Sequence, residues 1–185
     1  MFKKIIKIFK NSKTINRSDF DFARNVEFET SGEKLHTQIK NLFSGSLAIR
    51  QIDAGSDNSC EQELVALSNS YYDIERFGIS FVASPRHADM LLVTGPVTRN
   101  MAEALKIAYE ATPNPKIVVA VGDDAIDGGL FSDSYAVSGR VDSVVPVDYQ
   151  IPGDPPAPMV IVEHLLRIME SYSLKQISAR VGSEL

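Results

Sequence analysis

The chain has 185 residues, with 19 Lys and Arg against 24 Asp and Glu, a formal net charge of -5, 44% hydrophobic residues and 23% charged residues. That length favours one domain with an extension, and that composition excludes a chain disordered throughout. The acidic balance, with no basic stripe across the body, excludes a nucleic-acid binder, because phosphate binding is driven by clustered Lys and Arg that release counterions.

A single cysteine, Cys60, rules out an intramolecular disulfide. With no secretory leader in the sequence, it predicts a reducing, cytoplasmic setting. No apolar run approaches the roughly 20 residues that span a bilayer.

In chain order, the first segment is MFKKIIKIFK (1–10), where Phe2, Ile5, Ile6 and Phe9 fall at i, i+3, i+4, i+7 and Lys3, Lys7 and Lys10 take the other side. This is the pattern of a basic amphipathic helix, suited to an anionic membrane surface or a partner's groove. Residues 1–45 are polar, Lys-rich and without strand signals, and read as a helical N-terminal arm. The body is expected over 46–173, with a C-terminal tail over 174–185.

From Leu47 onward, short apolar runs alternate with helical periodicity. LAIRQI (47–52), ISFVA (79–83), MLLVTG (90–95), KIVVAVG (116–122) and SVVPV (143–147) read as strands, and uninterrupted apolar runs imply strands covered on both faces, as in a parallel sheet. Glu61 to Tyr72 carries Leu64, Val65 and Leu67 at helical intervals. Met101, Ala104, Leu105 and Ala108 repeat likewise after a candidate N-cap at Thr98, ending before Pro113. A last helix after Pro158 carries Val162, Leu165, Leu166 and Met169 on one stripe.

Strand–helix alternation of this kind predicts a doubly wound, flavodoxin-like α/β domain with a mostly parallel sheet, and ligands in such folds sit beyond the carboxyl ends of the strands. Three loops leave those ends: SDNSC (56–60), GDDAIDGG (122–129) and PGDPP (152–156). Each contains aspartate. The middle loop fails as an EF-hand because Ala125 stands where an oxygen ligand is needed, and as a phosphate loop because Asp123, Asp124 and Asp127 would repel the anion. His36, His87 and His164 are scattered and assemble no catalytic spacing; His164 reads as a structural residue.

The stretches ERFGISFVASPRHADMLLVTGPVTRNM (75–101), PNPKIVVAVG (113–122), DGGLF (127–131) and VVPVDYQIPGDPP (144–156) resemble a known family. It is the iron-sulfur subunit shared by respiratory complex I, its NuoB-type subunit, and membrane-bound energy-converting nickel-iron hydrogenases of the formate hydrogenlyase type. The likeness runs from about Ile49 to Met169. In that family four cysteines hold a 4Fe-4S cluster, in C-x-x-C, G-x-C-A and P-G-C-P-P loops. The matching positions here are Asp57, Cys60, Asp124 and Asp154. The resemblance also places the turn carrying Arg86 near the cluster, so Arg86 and Arg76 are candidate ion-pair partners for the acids.

Clusters are held by soft thiolates, whereas carboxylates are hard ligands suited to Mg, Ca or Mn. Three aspartates at one locus repel one another, which predicts coupled titration with some pKa values raised. Asp57 and Asp154 each precede a predicted helix and are expected to cap it. Cys60 at a helix start would be an activated thiol, but its acidic neighbours push the other way, so it is not read as catalytic.

What the resemblance implies is a subunit of a complex I-like or membrane-bound hydrogenase-like assembly, partnered by a hydrogenase-like large subunit and membrane-arm subunits at the inner face of the cell membrane. With three thiolates exchanged, the expectation is a redox-silent scaffold with no cofactor. Two alternatives stand beside it. One is an electron-transfer subunit with an atypically ligated 4Fe-4S cluster. The other is a stand-alone α/β module binding a small ligand or a divalent metal at Asp57, Asp124 and Asp154.

Overall fold

In a computed structural model of the chain, residues 26–183 are described; the amphipathic segment 1–10 lies outside them. The elements run α1 (Val26–Leu42), β1 (Leu47–Asp53), α2 (Ser59–Ala66), β2 (Ile79–Phe81), β3 (Met90–Thr94), β4 (Val97–Thr98), α3 (Arg99–Ala111), β5 (Ile117–Val121), α4 (Asp123–Asp127), β6 (Val137–Gly139), β7 (Tyr149–Ile151) and α5 (Pro158–Ser183), with short 3₁₀ turns between.

Five strands form one sheet in the order β2-β1-β3-β5-β7, and every pairing in it is parallel. This is the flavodoxin-like strand order, in which the connection reverses direction between β1 and β3. Strands β4 and β6 make a small antiparallel pair beside it.

All five residues of β3 and of β5 are buried, so successive side chains feed two separate cores. Met90, Leu92, Val119 and Val121 face a cluster with Leu64, Leu165 and Met169. Leu91, Val93, Val118 and Ala120 face another with Leu105, Ala125 and Val141. Helices α1, α2 and α5 therefore cover one face of the sheet, and α3 and α4 the other. The layering explains why the strand runs lack alternation: neither face is wet.

Several boundaries differ from expectation. The span 26–42 is helical, but it is no detached arm: Phe28, Leu35 and Ile39 are buried in the first cluster. SVVPV is not a strand. Pro146 has no N–H to give a ladder, and the edge strand forms three residues later, where Asp148 Oδ2 accepts from Val118 N at 2.8 Å and Asp148 N donates to Val118 O at 2.9 Å. The helix read from Glu61 to Tyr72 stops at Ala66. Residues 174–183 continue α5 rather than forming a tail. Thr98 occupies the N-cap position of α3 without capping it; its hydroxyl donates to Ala54 O at 3.2 Å instead.

Gly32 of α1 shows how closely this layer is packed. A Cβ there would lie 2.2 Å from Cζ of Phe77, whose ring meets Phe28 at 5.9 Å and carries the Arg76 guanidinium at 4.5 Å. Gly→Ala in a helix interior ordinarily stabilises by about 1 kcal/mol. Gly32→Ala is expected to do the opposite, lowering stability by about 1–3 kcal/mol through overpacking, as measured by urea unfolding.

Candidate functional site

A parallel sheet delivers the loops that follow its strands to one edge. The loops after β1, β3, β5 and β7 are tied together there by their own backbones. Ala54 N donates to Thr94 O at 3.0 Å, Gly122 N to Ile151 O at 2.8 Å and Asp123 N to Gly153 O at 3.0 Å. The carboxylate of Asp123 returns the link, accepting from Gly153 N at 2.8 Å. Within the first loop Asp53 Oδ1 accepts from Gly55 N and Ser56 N at 2.8 and 2.9 Å.

The four predicted positions meet at this edge. Asp57, Asp124 and Asp154 line one cleft of about 280 Å³ together with Gly55, Ser56, Pro96, Leu130 and Phe131. Cys60 lies beneath, 5% exposed. Gly122 has a positive φ of 91°, and a Cβ on it would lie 2.5 Å from Cys60 Sγ, so the sulfur fills the space that a side chain at 122 would need.

The electrostatics are one-signed. Burial raises the pKa of Asp124 above the usual carboxylate range, and the charges of Asp154, Asp57, Asp127 and Asp123 raise it further. Burial, with the charges of Glu61, Asp57 and Asp154, pushes the Cys60 thiol up to about 11. Asp57 goes the other way: its carboxylate accepts from the Ser59 hydroxyl at 2.5 Å and from Ser59 N at 2.9 Å, and its pKa is lowered.

The basic residues expected here are elsewhere. Arg76 pairs with Glu29 at 2.8 Å, against α1. Arg86 lines a different cavity, with Leu42, Phe43, Asp89, Pro113, Pro115 and Tyr172, where β3 and β5 begin rather than end. The other ion pair among the described residues joins Arg140 to Asp142. The capping expectation fails for Asp154: α5 starts four residues later at Pro158, and no described residue donates a hydrogen bond to it. Asp57 does bond the start of α2, through Ser59, although the N-cap position itself is Asn58, in the left-handed region at φ 75°. His164 Nδ1 lies 2.8 Å from Val160 O within its own helix, a structural contact.

Sequence reasoning missed two residues. Glu61 is 7% exposed; its Oε1 accepts a short hydrogen bond from the Thr94 hydroxyl, while its Oε2 has no partner among the described residues. Thr94 is fully buried, and its Oγ1 also lies 3.3 Å from Ile52 O. A polar residue closing the apolar run MLLV was the available signal for Thr94. An acid directly after Cys60 was the signal for Glu61.

The family model for the 20 kDa subunit of NADH ubiquinone oxidoreductase matches residues 58–168. The chain belongs to this family. It is 40% identical over 152 residues to the probable membrane-bound hydrogenase subunit mbhJ of Pyrococcus furiosus, covering 82% of this chain and 90% of that one. An uncharacterised protein of Methanocaldococcus jannaschii is 50% identical over 131 residues, covering 70% of this chain and 88% of the relative. Among solved structures, a chain of the membrane-bound sulfane sulfur reductase, an archaeal respiratory membrane complex, superposes with a TM-score of 0.61 at 35% identity, covering 75% of each chain.

A 4Fe-4S cluster does not fit the donor set that this member of the 20 kDa family carries. Such a cluster is held by several thiolates, and Cys60 is the chain's single cysteine, with carboxylates at the other three positions. Among the described residues, no group of three or more His, Cys, Asp or Glu side chains is arranged to hold a metal ion.

Two outcomes follow from these shifts. A group whose folded pKa is raised contributes stability that is complete below its unfolded value and lost as pH rises through the folded one. The charge on Asp124 is therefore unfavourable at neutral pH. Asp124→Asn should raise Tm at pH 7 by about 1–2 °C, a small effect because the site is partly solvated. The gain should fade as pH falls towards 3.8, the ordinary value for Asp; thermal melts across that range check it. With a pKa of about 11, only roughly one Cys60 in ten thousand is ionised at pH 7. Iodoacetamide should leave it untouched in native protein and alkylate it readily in urea, as read by mass spectrometry.

Proposed function

We propose that this chain is a redox-silent structural subunit of a complex I-like or membrane-bound hydrogenase-like assembly. It keeps the frame of the 20 kDa family and has lost the electron carrier. The observation that carries this reading is the donor set: one buried, protonated thiol and three carboxylates at the positions where the family resemblance puts four thiolates. Hard oxygen ligands at three corners leave a cubane of soft iron and sulfide without its anchors.

Family membership supports the assembly part of the reading, because relatives bear the names of a membrane-bound hydrogenase subunit and an NADH-quinone oxidoreductase subunit. The partners on this reading are a hydrogenase-like large subunit and the subunits of a membrane arm. No helix among the described residues is long and apolar enough to cross a membrane, so the chain would attach from the side, at the inner face of the cell membrane. The basic amphipathic pattern of residues 1–10 supplies the chemistry for that attachment.

The experiment is anaerobic purification of the full chain in mild detergent, followed by iron and sulfide assays and identification of copurifying proteins. The expected result is colourless protein with less than about one iron per chain, accompanied by large-subunit and membrane-arm homologues. About four irons per chain with a low-temperature EPR signal on reduction would establish an electron carrier instead, and a solitary chain free of membrane would remove the scaffold.

A further inference from the structure

The acidic cleft has an apolar rim. Leu130 and Phe131 line it while remaining 89% and 64% exposed, and Tyr135, from the same loop, is 86% exposed. The loop is not held open by accident of sequence. Gly129 N donates to Asp127 Oδ1 at 2.7 Å, Ser132 N to Gly129 O at 3.2 Å, Ser134 N to Phe131 O at 2.9 Å and Val137 N to Ser134 O at 3.1 Å. A run of turns thus presents three large apolar side chains to the outside beside three carboxylates. Exposed apolar groups gathered with polar ones in this way mark a surface that another protein covers.

We propose that this face docks a partner protein by accepting a cationic side chain, arginine or lysine, between Asp57, Asp124 and Asp154, with Leu130 and Phe131 closing over its aliphatic stem. The proposal rests on the scaffold reading above and specifies the chemistry of its partner. Charge complementarity selects the occupant. None of the ion pairs among the described residues involves these three aspartates, and every charge acting on Asp124 is negative. A bare metal ion would need ligands converging on one point, which the described residues do not provide. A guanidinium or ammonium on a long stem tolerates spread carboxylates and buries its methylenes against the rim.

The raised pKa of Asp124 agrees with this arrangement, since a cation in the cleft would relieve the repulsion that raises it.

The test places the photo-crosslinking residue p-benzoylphenylalanine at Phe131 in the full chain, in native membranes, and sequences the adduct. The expected adduct is a single protein segment containing Arg or Lys. Its yield should fall at least about tenfold in the Asp124→Asn, Asp154→Asn double variant, and should fall in the unsubstituted chain as salt rises from about 50 to about 500 mM. The salt series needs no variant, so poor folding of the double mutant leaves the proposal open to refutation. An adduct unaffected by both salt and neutralisation overturns the inserted cation while leaving the scaffold reading intact. A lipid adduct, or a protein segment without a cation, overturns it too. Copurification from parallel, unirradiated membranes shows separately whether the scaffold reading survives.

Discussion

The structure depends on burying β3 and β5 on both faces. Once those two strands are sealed between α1, α2 and α5 on one side and α3 and α4 on the other, each of their backbone groups must find its partner in a neighbouring strand, and the parallel order follows. A parallel order in turn sends the loops after β1, β3, β5 and β7 to a common edge. The acids at 57, 124 and 154 owe their proximity to that topology and to the backbone bonds that tie the loops together. They owe nothing to attraction for one another, since the charges of Asp154 and Asp57 act to raise the pKa of Asp124.

On the scaffold reading proposed above, this separation of frame from ligands is what would let a family fold outlive its cofactor. The hydrophobic layers supply the stability of the edge, so the loops hold their course whether thiolates or carboxylates occupy them. What changes is the potential in the cleft and the softness of its donors. An oxygen-lined, negative, solvent-reached cleft offers nothing to a sulfide-bridged cluster and a good deal to a positive group on a protein surface.

The strand runs at Leu47, Ile79, Met90 and Ile117 were legible because continuous apolar sequence over five or so residues has few other uses in a soluble chain. The meeting of Asp57, Cys60, Asp124 and Asp154 was legible from the loops that carry them and from the family likeness. The edge strand at Tyr149 was not, because SVVPV looks more strand-like by composition; the deciding factor was the missing N–H of Pro146 and the reciprocal bonds of Asp148 with Val118. Arg76 and Arg86 were misplaced for a different reason. They were suggested by the family likeness, which put the Arg86 turn near the acids, whereas that turn lies where β3 and β5 begin, and Glu29, the partner of Arg76, is 47 residues away. Burial of Glu61 against Thr94 likewise required the fold, since both positions read alone as ordinary polar residues.

The fit of the Cys60 sulfur into the space over Gly122 has an evolutionary corollary. Whether or not it serves as a ligand, that cysteine is held by packing, because a larger residue at 60 would press on the backbone of the neighbouring loop and a smaller one would leave a hole beneath it. Nor is the glycine free to acquire a side chain while the sulfur stays. The two sites should therefore vary together or not at all, whichever donors occupy positions 57, 124 and 154.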